Sequence, residues 1–151
     1  MAPDSKECST CGIVKSLDEF PTRGRQQCKA CKSLGNKIRC NSSLSGFLQS
    51  RLTALKQRHK QKKYEGTPVS LEYLLALYEK QGGICAISNL PMHTTTDQSD
   101  LAVSADRVDI SKGYVEGNIR LVCARINIMR GVLDDHDFIW WCRAVVNSCG
   151  N

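Results

Sequence analysis

An α+β protein with a small zinc-binding appendage is what this sequence predicts, and three observations carry that expectation. Two Cys-x2-Cys pairs stand close together near the N-terminus. Three stretches in the first two thirds and at the end of the chain show apolar residues at helical spacing. Between them, residues 102–109 (AVSADRVD) alternate as a strand does.

The cysteines come first. Cys8 and Cys11 form one pair, Cys28 and Cys31 the other, with sixteen residues between them. Four thiolates in two tight pairs can close a tetrahedron around zinc. So short a segment has no core of its own, so one structural Zn2+ would supply its folding energy. The nine cysteines of the chain are an odd number and follow no secretory signal, which favours thiols and metal over disulfides. Lys15, Arg23, Arg25, Lys29, Lys32 and Lys37 make this module, residues 1–40, basic. Residues 33–46 are rich in Gly, Asn and Ser and read as a linker, with Cys40 a free thiol.

Residues 41–81 are expected to be a basic helical linker and a packing helix. In the segment 47–64, Phe47, Leu48, Leu52 and Leu55 give an apolar stripe. Arg51, Lys56, Arg58, Lys60, Lys62 and Lys63 load the segment with charge suited to a phosphate backbone. His59, inside the charge run, reads as a surface residue. Gly66-Thr67-Pro68 breaks the helix. Ser70 caps a second, with Leu71, Leu74, Leu75 and Tyr78 on its buried face and Gly82-Gly83 as its stop.

Residues 82–151 carry the chemistry. Ile84–Ser88 reads as a short strand, expected to pair with the strand that holds Asp106. A loop with Gly113 and Gly117 follows that strand. Asn118 reads as the cap of a helix built on Ile119, Val122, Cys123 and Ile126, with Asn127 near its end and Gly131 as its stop. A carboxylate on a strand and an amide on a helix, joined by a short loop, can hold one hard cation through oxygen. After Asp134 and Asp135 as cap signals, Phe138, Ile139, Trp141, Cys142, Val145 and Val146 make a broad apolar face, and Trp141 reads as core.

The stretch Asp106-Arg107, Gly113-Tyr114, Asn118, Leu121-Val122-Cys123, Asn127 and Arg130 resembles the HNH, or ββα-metal, nucleases. It looks like many small phage HNH proteins and like a rare-cutting HNH restriction enzyme that carries zinc. The resemblance implies an endonuclease that hydrolyses DNA phosphodiesters with Mg2+ or Mn2+. Asp106 and Asn127 would be the metal ligands, Arg107 a phosphate clamp, and Asn118 the residue that fixes the loop. Arg130 joins the basic helix residues as an expected nucleic-acid contact. Arg107 stands where most of the family has a histidine base, and a guanidinium stays protonated. The base is then His93, Tyr114 or Tyr78, or a metal-bound hydroxide. Family members with a second zinc hold it near Cys85 and Cys123, but Ser88 and Ile126 here replace the other two ligands. No second zinc is therefore expected, and Cys85 and Cys123 should be buried thiols.

Net charge is +6 and the pI near 8.9, which favours a polyanionic partner. No apolar run approaches the ~20 residues that span a membrane. The expected setting is the cytoplasm of a bacterial or phage-infected cell. The alternative function is a zinc-containing DNA-binding protein whose HNH core has lost catalysis. A homodimer is compatible with the chain.

Overall fold

The computed structural model describes residues 4–21, 26–95 and 100–149, and Arg23 and Arg25 lie outside them. The chain begins with a hairpin of β1 (Ser5–Glu7) and β2 (Val14–Ser16), followed by a 3-10 turn at Leu17–Glu19. Helices α1 (Lys29–Asn41), α2 (Leu44–Gln61) and α3 (Leu71–Lys80) come next. The second half holds an antiparallel pair, β3 (Val103–Arg107) and β4 (Ile119–Cys123), then α4 (Ala124–Arg130) and α5 (Asp135–Cys149).

Four of the five α-helix starts have a local side-chain cause, and α4 has none. The Cys28 Sγ accepts from Cys31 N–H at the head of α1, and the hydroxyls of Ser43 and Ser70 accept from Gly46 and Tyr73 N–H at the heads of α2 and α3. These are N-caps that satisfy otherwise orphaned donors. Asp134 does the same for α5 through Asp137 N–H at 2.8 Å. Gly131 ends α4 at φ +56°, a left-handed conformation that glycine adopts without penalty.

One core lies between α2, α3 and the β3–β4 pair. Phe47, Leu48, Leu52 and Leu55 from α2 and Leu74 from α3 meet Val103, Leu121 and Val122 there. The open edge of β4 is covered by an amide. Gln81 Oε1 accepts from Leu121 N–H, and Gln81 Nε2 donates to Leu121 C=O, both at 2.9 Å. That side chain imitates a neighbouring strand and leaves no free ladder groups at that position.

Five expectations need correction. Residues 33–41 are not linker but the body of α1, which packs on α2. The two helices approach so closely that a Cβ on Gly46 would stand 2.6 Å from the Arg39 carbonyl. Residues 119–123 are strand rather than helix, so Asn118 precedes β4 and caps nothing. The strand paired with β3 is therefore β4, whereas Ile84–Ser88 forms a turn with one bridge to Pro91. His59 is buried, not on the surface. Trp141 is 55% exposed, and with Val145 and Val146 it leaves the α5 apolar face largely open to solvent. Among the described residues no helix is long and apolar enough to cross a membrane.

Candidate active site and metal centres

In the N-terminal module the four thiols Cys8, Cys11, Cys28 and Cys31 converge. Their sulfurs all lie within 4.8 Å of one another. A zinc tetrahedron with ~2.3 Å bonds needs sulfurs roughly 3.8 Å apart, so a small inward movement completes it. Cys28 N–H points at Cys8 Sγ at 3.3 Å. That bond, with a second from Cys11 N–H, holds the Cys8 thiol down at about 6. The neighbouring Cys28 thiol, together with burial, pushes Cys31 up to about 12. Four thiols so placed resist ionising together unless a cation shares their charge, which fits a structural zinc.

The second centre is built where β3 faces α4. Asp106 is opposite Arg120 in the β3–β4 register. Only 4% of Asp106 is exposed, and both its carboxylate oxygens are engaged. Arg120 Nε donates to Oδ2 at 2.9 Å and Arg130 Nη1 donates to Oδ1 at 2.8 Å. Asp135, at the head of α5, ties the same two arginines from the other side. Arg120 grips it with both terminal nitrogens, at 2.6 and 2.5 Å, and Arg130 Nε reaches it at 3.1 Å. The hydrogen bonds from Arg120 pull Asp135 below the usual carboxylate range, and Asp135 in turn raises Arg120 further. The bidentate geometry is what makes such pairs strong.

A cavity of about 170 Å³ opens over this network, lined by Arg58, Asp106, Arg107, Tyr114, Asn127 and Arg130 with little apolar surface. Asn127 is oriented by its amide nitrogen, which donates to Ser104 Oγ at 2.7 Å. Its carbonyl oxygen is thereby turned away from that bond. Arg107 sends one terminal nitrogen to the Tyr64 hydroxyl and to the carbonyls of Ile110 and Lys112. Its guanidinium lies 5.0 Å from the Tyr64 ring centroid and 5.2 Å from that of Tyr114. Those contacts use a single nitrogen of a five-donor fork, so the remaining N–H groups can serve a ligand. Arg58 reaches the same cavity from α2. Across Tyr64 lies a wider groove of about 1000 Å³ with Lys63, Ser111 and Lys112 on its walls.

The loop between the strands is held rigid by Asn118. Its Oδ1 accepts from Asp109 N–H at 2.9 Å, and its Nδ2 donates to the carbonyls of Asp109 and Gly113 at 3.0 and 2.9 Å. His59 supports that loop from beneath. Its Nδ1 accepts from Tyr114 N–H at 3.2 Å and Nε2 pairs with Gly66 C=O at 3.1 Å, which sets the tautomer with hydrogen on Nε2.

The expected residues thus separate into groups. Asp106, Arg107, Asn127, Arg130 and Arg58 share one cavity. Arg130 is only 1% exposed and holds Asp106, so it is not the accessible nucleic-acid contact expected from its sequence position. Arg51, Lys56, Lys60, Lys62 and Lys63 are exposed along α2 and its end. His93 bridges to Ala102, four residues before Asp106 on the strand, or roughly 13 Å at ~3.3 Å per residue. It does not line the cavity. Cys85 and Cys123 are buried side by side, with Cys123 N–H donating to Cys85 Sγ at 3.3 Å. Arg120, Asp135, Ser104 and Tyr64 were missed as site residues. Arg120 would have been found by reading 119–123 as a strand, because it then faces Asp106 directly.

The oxygen donors of Asp106 and Asn127 suit a hard divalent cation in kind. In charge they suit it less, because Asp106 is already matched by two guanidiniums.

No family model and no curated protein matches this chain. Among solved structures it is similar to the rare-cutting HNH restriction endonuclease PacI, at 18% identity over 95% of this chain and 94% of that one, with a TM-score of 0.45.

Proposed function

We propose that this protein is a divalent-metal-dependent DNA endonuclease that hydrolyses phosphodiester bonds in the cavity between β3 and α4. The observation that carries this reading is the convergence of Asp106, Asn127, Arg58 and Arg107 on one small polar cavity. Arg58 and Arg107 would bind the non-bridging oxygens of a phosphodiester, a task for which the planar guanidinium is suited. Asp106 and Asn127, together with the phosphate, would hold Mg2+ or Mn2+. That ion, when bound, neutralises charge growing on the phosphate and the leaving oxygen. Arg120, Arg130 and Asp135 position Asp106, and Asn118 and His59 position the loop from which Arg107 takes its carbonyl partners. Lys63 and Lys112 beside the wide groove, with the exposed cations of α2, would track the flanking backbone.

Geometry narrows the base. Tyr114 lines the cavity, whereas His93 sits at the far end of β3 and the Tyr78 hydroxyl lies against Gly83. Tyr114 is therefore the side chain to test as acceptor of the water's proton.

A second reading, a zinc-containing DNA-binding protein without catalysis, is favoured by two observations: both Asp106 oxygens are engaged by arginine, and among the described residues no histidine lines the cavity. A plasmid-nicking assay with and without Mg2+ decides between them. The endonuclease reading expects Mg2+-dependent cutting, lost in Asn127→Ala with DNA retention kept. Retention on DNA with no cutting under any divalent ion would establish the second reading instead.

A further inference from the structure

Four guanidiniums, those of Arg58, Arg107, Arg120 and Arg130, surround the cavity and its floor, against the two carboxylates of Asp106 and Asp135. Four positive and two negative charges leave a surplus of two positive charges. A divalent cation entering this space alone would meet net repulsion. Its one carboxylate ligand is also already neutralised by a buried arginine pair, so it offers the ion little net attraction. Nor does any other metal-ligating side chain help, since among the described residues Asp106 belongs to no cluster of three or more His, Cys, Asp or Glu. An anion meets the opposite situation. Arg107 has donors left over, its guanidinium is fixed by three oxygen acceptors, and Arg58 lines the same cavity. The Asn127 carbonyl has one polar role left once its amide nitrogen is tied to Ser104.

We infer that this site is loaded in a fixed order, phosphate first and divalent cation second, with Arg120 and Arg130 as the lock that keeps Asp106 from binding metal in the free protein. The inference rests on the endonuclease reading in taking a DNA phosphodiester as the natural anion. A phosphate held by Arg58 and Arg107 cancels the positive surplus and adds oxygens to the ligand set. Asp106 can then share an unused lone pair with the ion while its arginines stay in place, because a carboxylate has about four acceptor positions. The order has a consequence for the cell's metal pool: the free protein ignores Mg2+, and the competent site forms only on nucleic acid.

The test measures binding, not turnover. The zinc-loaded full chain is titrated with Mn2+, and free Mn2+ is read by electron paramagnetic resonance. Inorganic phosphate is titrated separately by calorimetry without divalent ion. The Mn2+ titration is then repeated with saturating phosphate against a protein-free blank. The expected results are no Mn2+ binding to the free chain up to about 1 mM, phosphate binding that is lost in Arg107→Gln, and Mn2+ affinity raised at least tenfold by phosphate. Arg120→Gln, with folding checked by circular dichroism, should release the lock and raise Mn2+ affinity of the free chain at least tenfold. Stoichiometric Mn2+ binding to the free wild-type chain below millimolar concentration would overturn the order, as would phosphate that fails to bind. Phosphate-assisted Mn2+ binding without any DNA cutting would leave the order standing and remove the nuclease reading. Cutting with Mn2+ already bound to the free chain would do the reverse.

Discussion

Replacing Asp106 by alanine should be costly to the fold as well as to the site. Asp106 and Arg130 are 4% and 1% exposed and meet at 2.8 Å. Removing one partner of a buried pair strands the other, at about 3–5 kcal/mol. Here Arg130 keeps Asp135 at 3.1 Å and the Val108 carbonyl at 3.3 Å, so the low end, about 3 kcal/mol, is expected. In urea, with an m-value of about 2 kcal/mol/M, that is a midpoint lowered by roughly 1.5 M. Thermally it is a loss of about 6–12 °C for a chain of this size. The assay is urea unfolding of the zinc-loaded protein followed by tryptophan fluorescence, since Trp140 and Trp141 lie on α5, the helix that begins at Asp135. The double variant Asp106→Ala/Arg130→Met should recover much of the loss, because no buried charge is then left over. A single variant within about 0.5 kcal/mol of wild type would refute the reasoning, since ordinary surface changes cost that little.

Three further outcomes are expected. Native mass spectrometry should find one zinc in the chain, lost in Cys28→Ser, and zinc retained by that variant would show that the four thiols do not act together. Changing Lys60, Lys62 and Lys63 together to glutamine should flatten the salt dependence of DNA binding by up to roughly 2.7 in log–log slope, at ~0.9 per phosphate contact, and an unchanged slope would return these residues to plain solvent exposure. Asp135 has its folded pKa depressed, chiefly by Arg120, so its contribution is fully present above the ordinary carboxylate pKa of ~3.9 and is lost as pH falls through the lower folded value. Asp135→Asn should therefore be less stable at pH 7 yet show a shallower acid-unfolding limb below about pH 4, and parallel acid limbs for the two proteins would contradict that assignment.

Much of the architecture depends on signals that act over a few residues and could be read along the chain. The paired cysteines, the Ser70 cap and the Gly131 stop are of this kind, because turn chemistry and capping need only near neighbours. That Asp106 lies on a strand and Asn127 on a helix was also legible, although β4 stands between the two. What failed was anything decided by burial from a distance. In β4 Ile119, Leu121, Val122 and Cys123 are all buried, so both faces of the strand are apolar and the period of two disappears. The same residues then fit a helical spacing, and Arg120 went unseen as the cross-strand partner of Asp106. His59 sits among lysines and looked exposed, but the close approach of Gly113, where a Cβ would stand 2.6 Å from the His59 ring, closes over it. The α5 face around Trp141 has a core's composition with no partner element among the described residues to cover it. The Ser70 cap, the Gly131 stop and the cysteine spacing are local chemistry, so the sequence by itself determined them, whereas the Asn118 cap failed with the helix it was meant to open. Which charge faces which across the β3–β4 ladder and α4 is set only when distant segments pack, so tertiary structure alone decided that Asp106 would be an arginine-locked carboxylate.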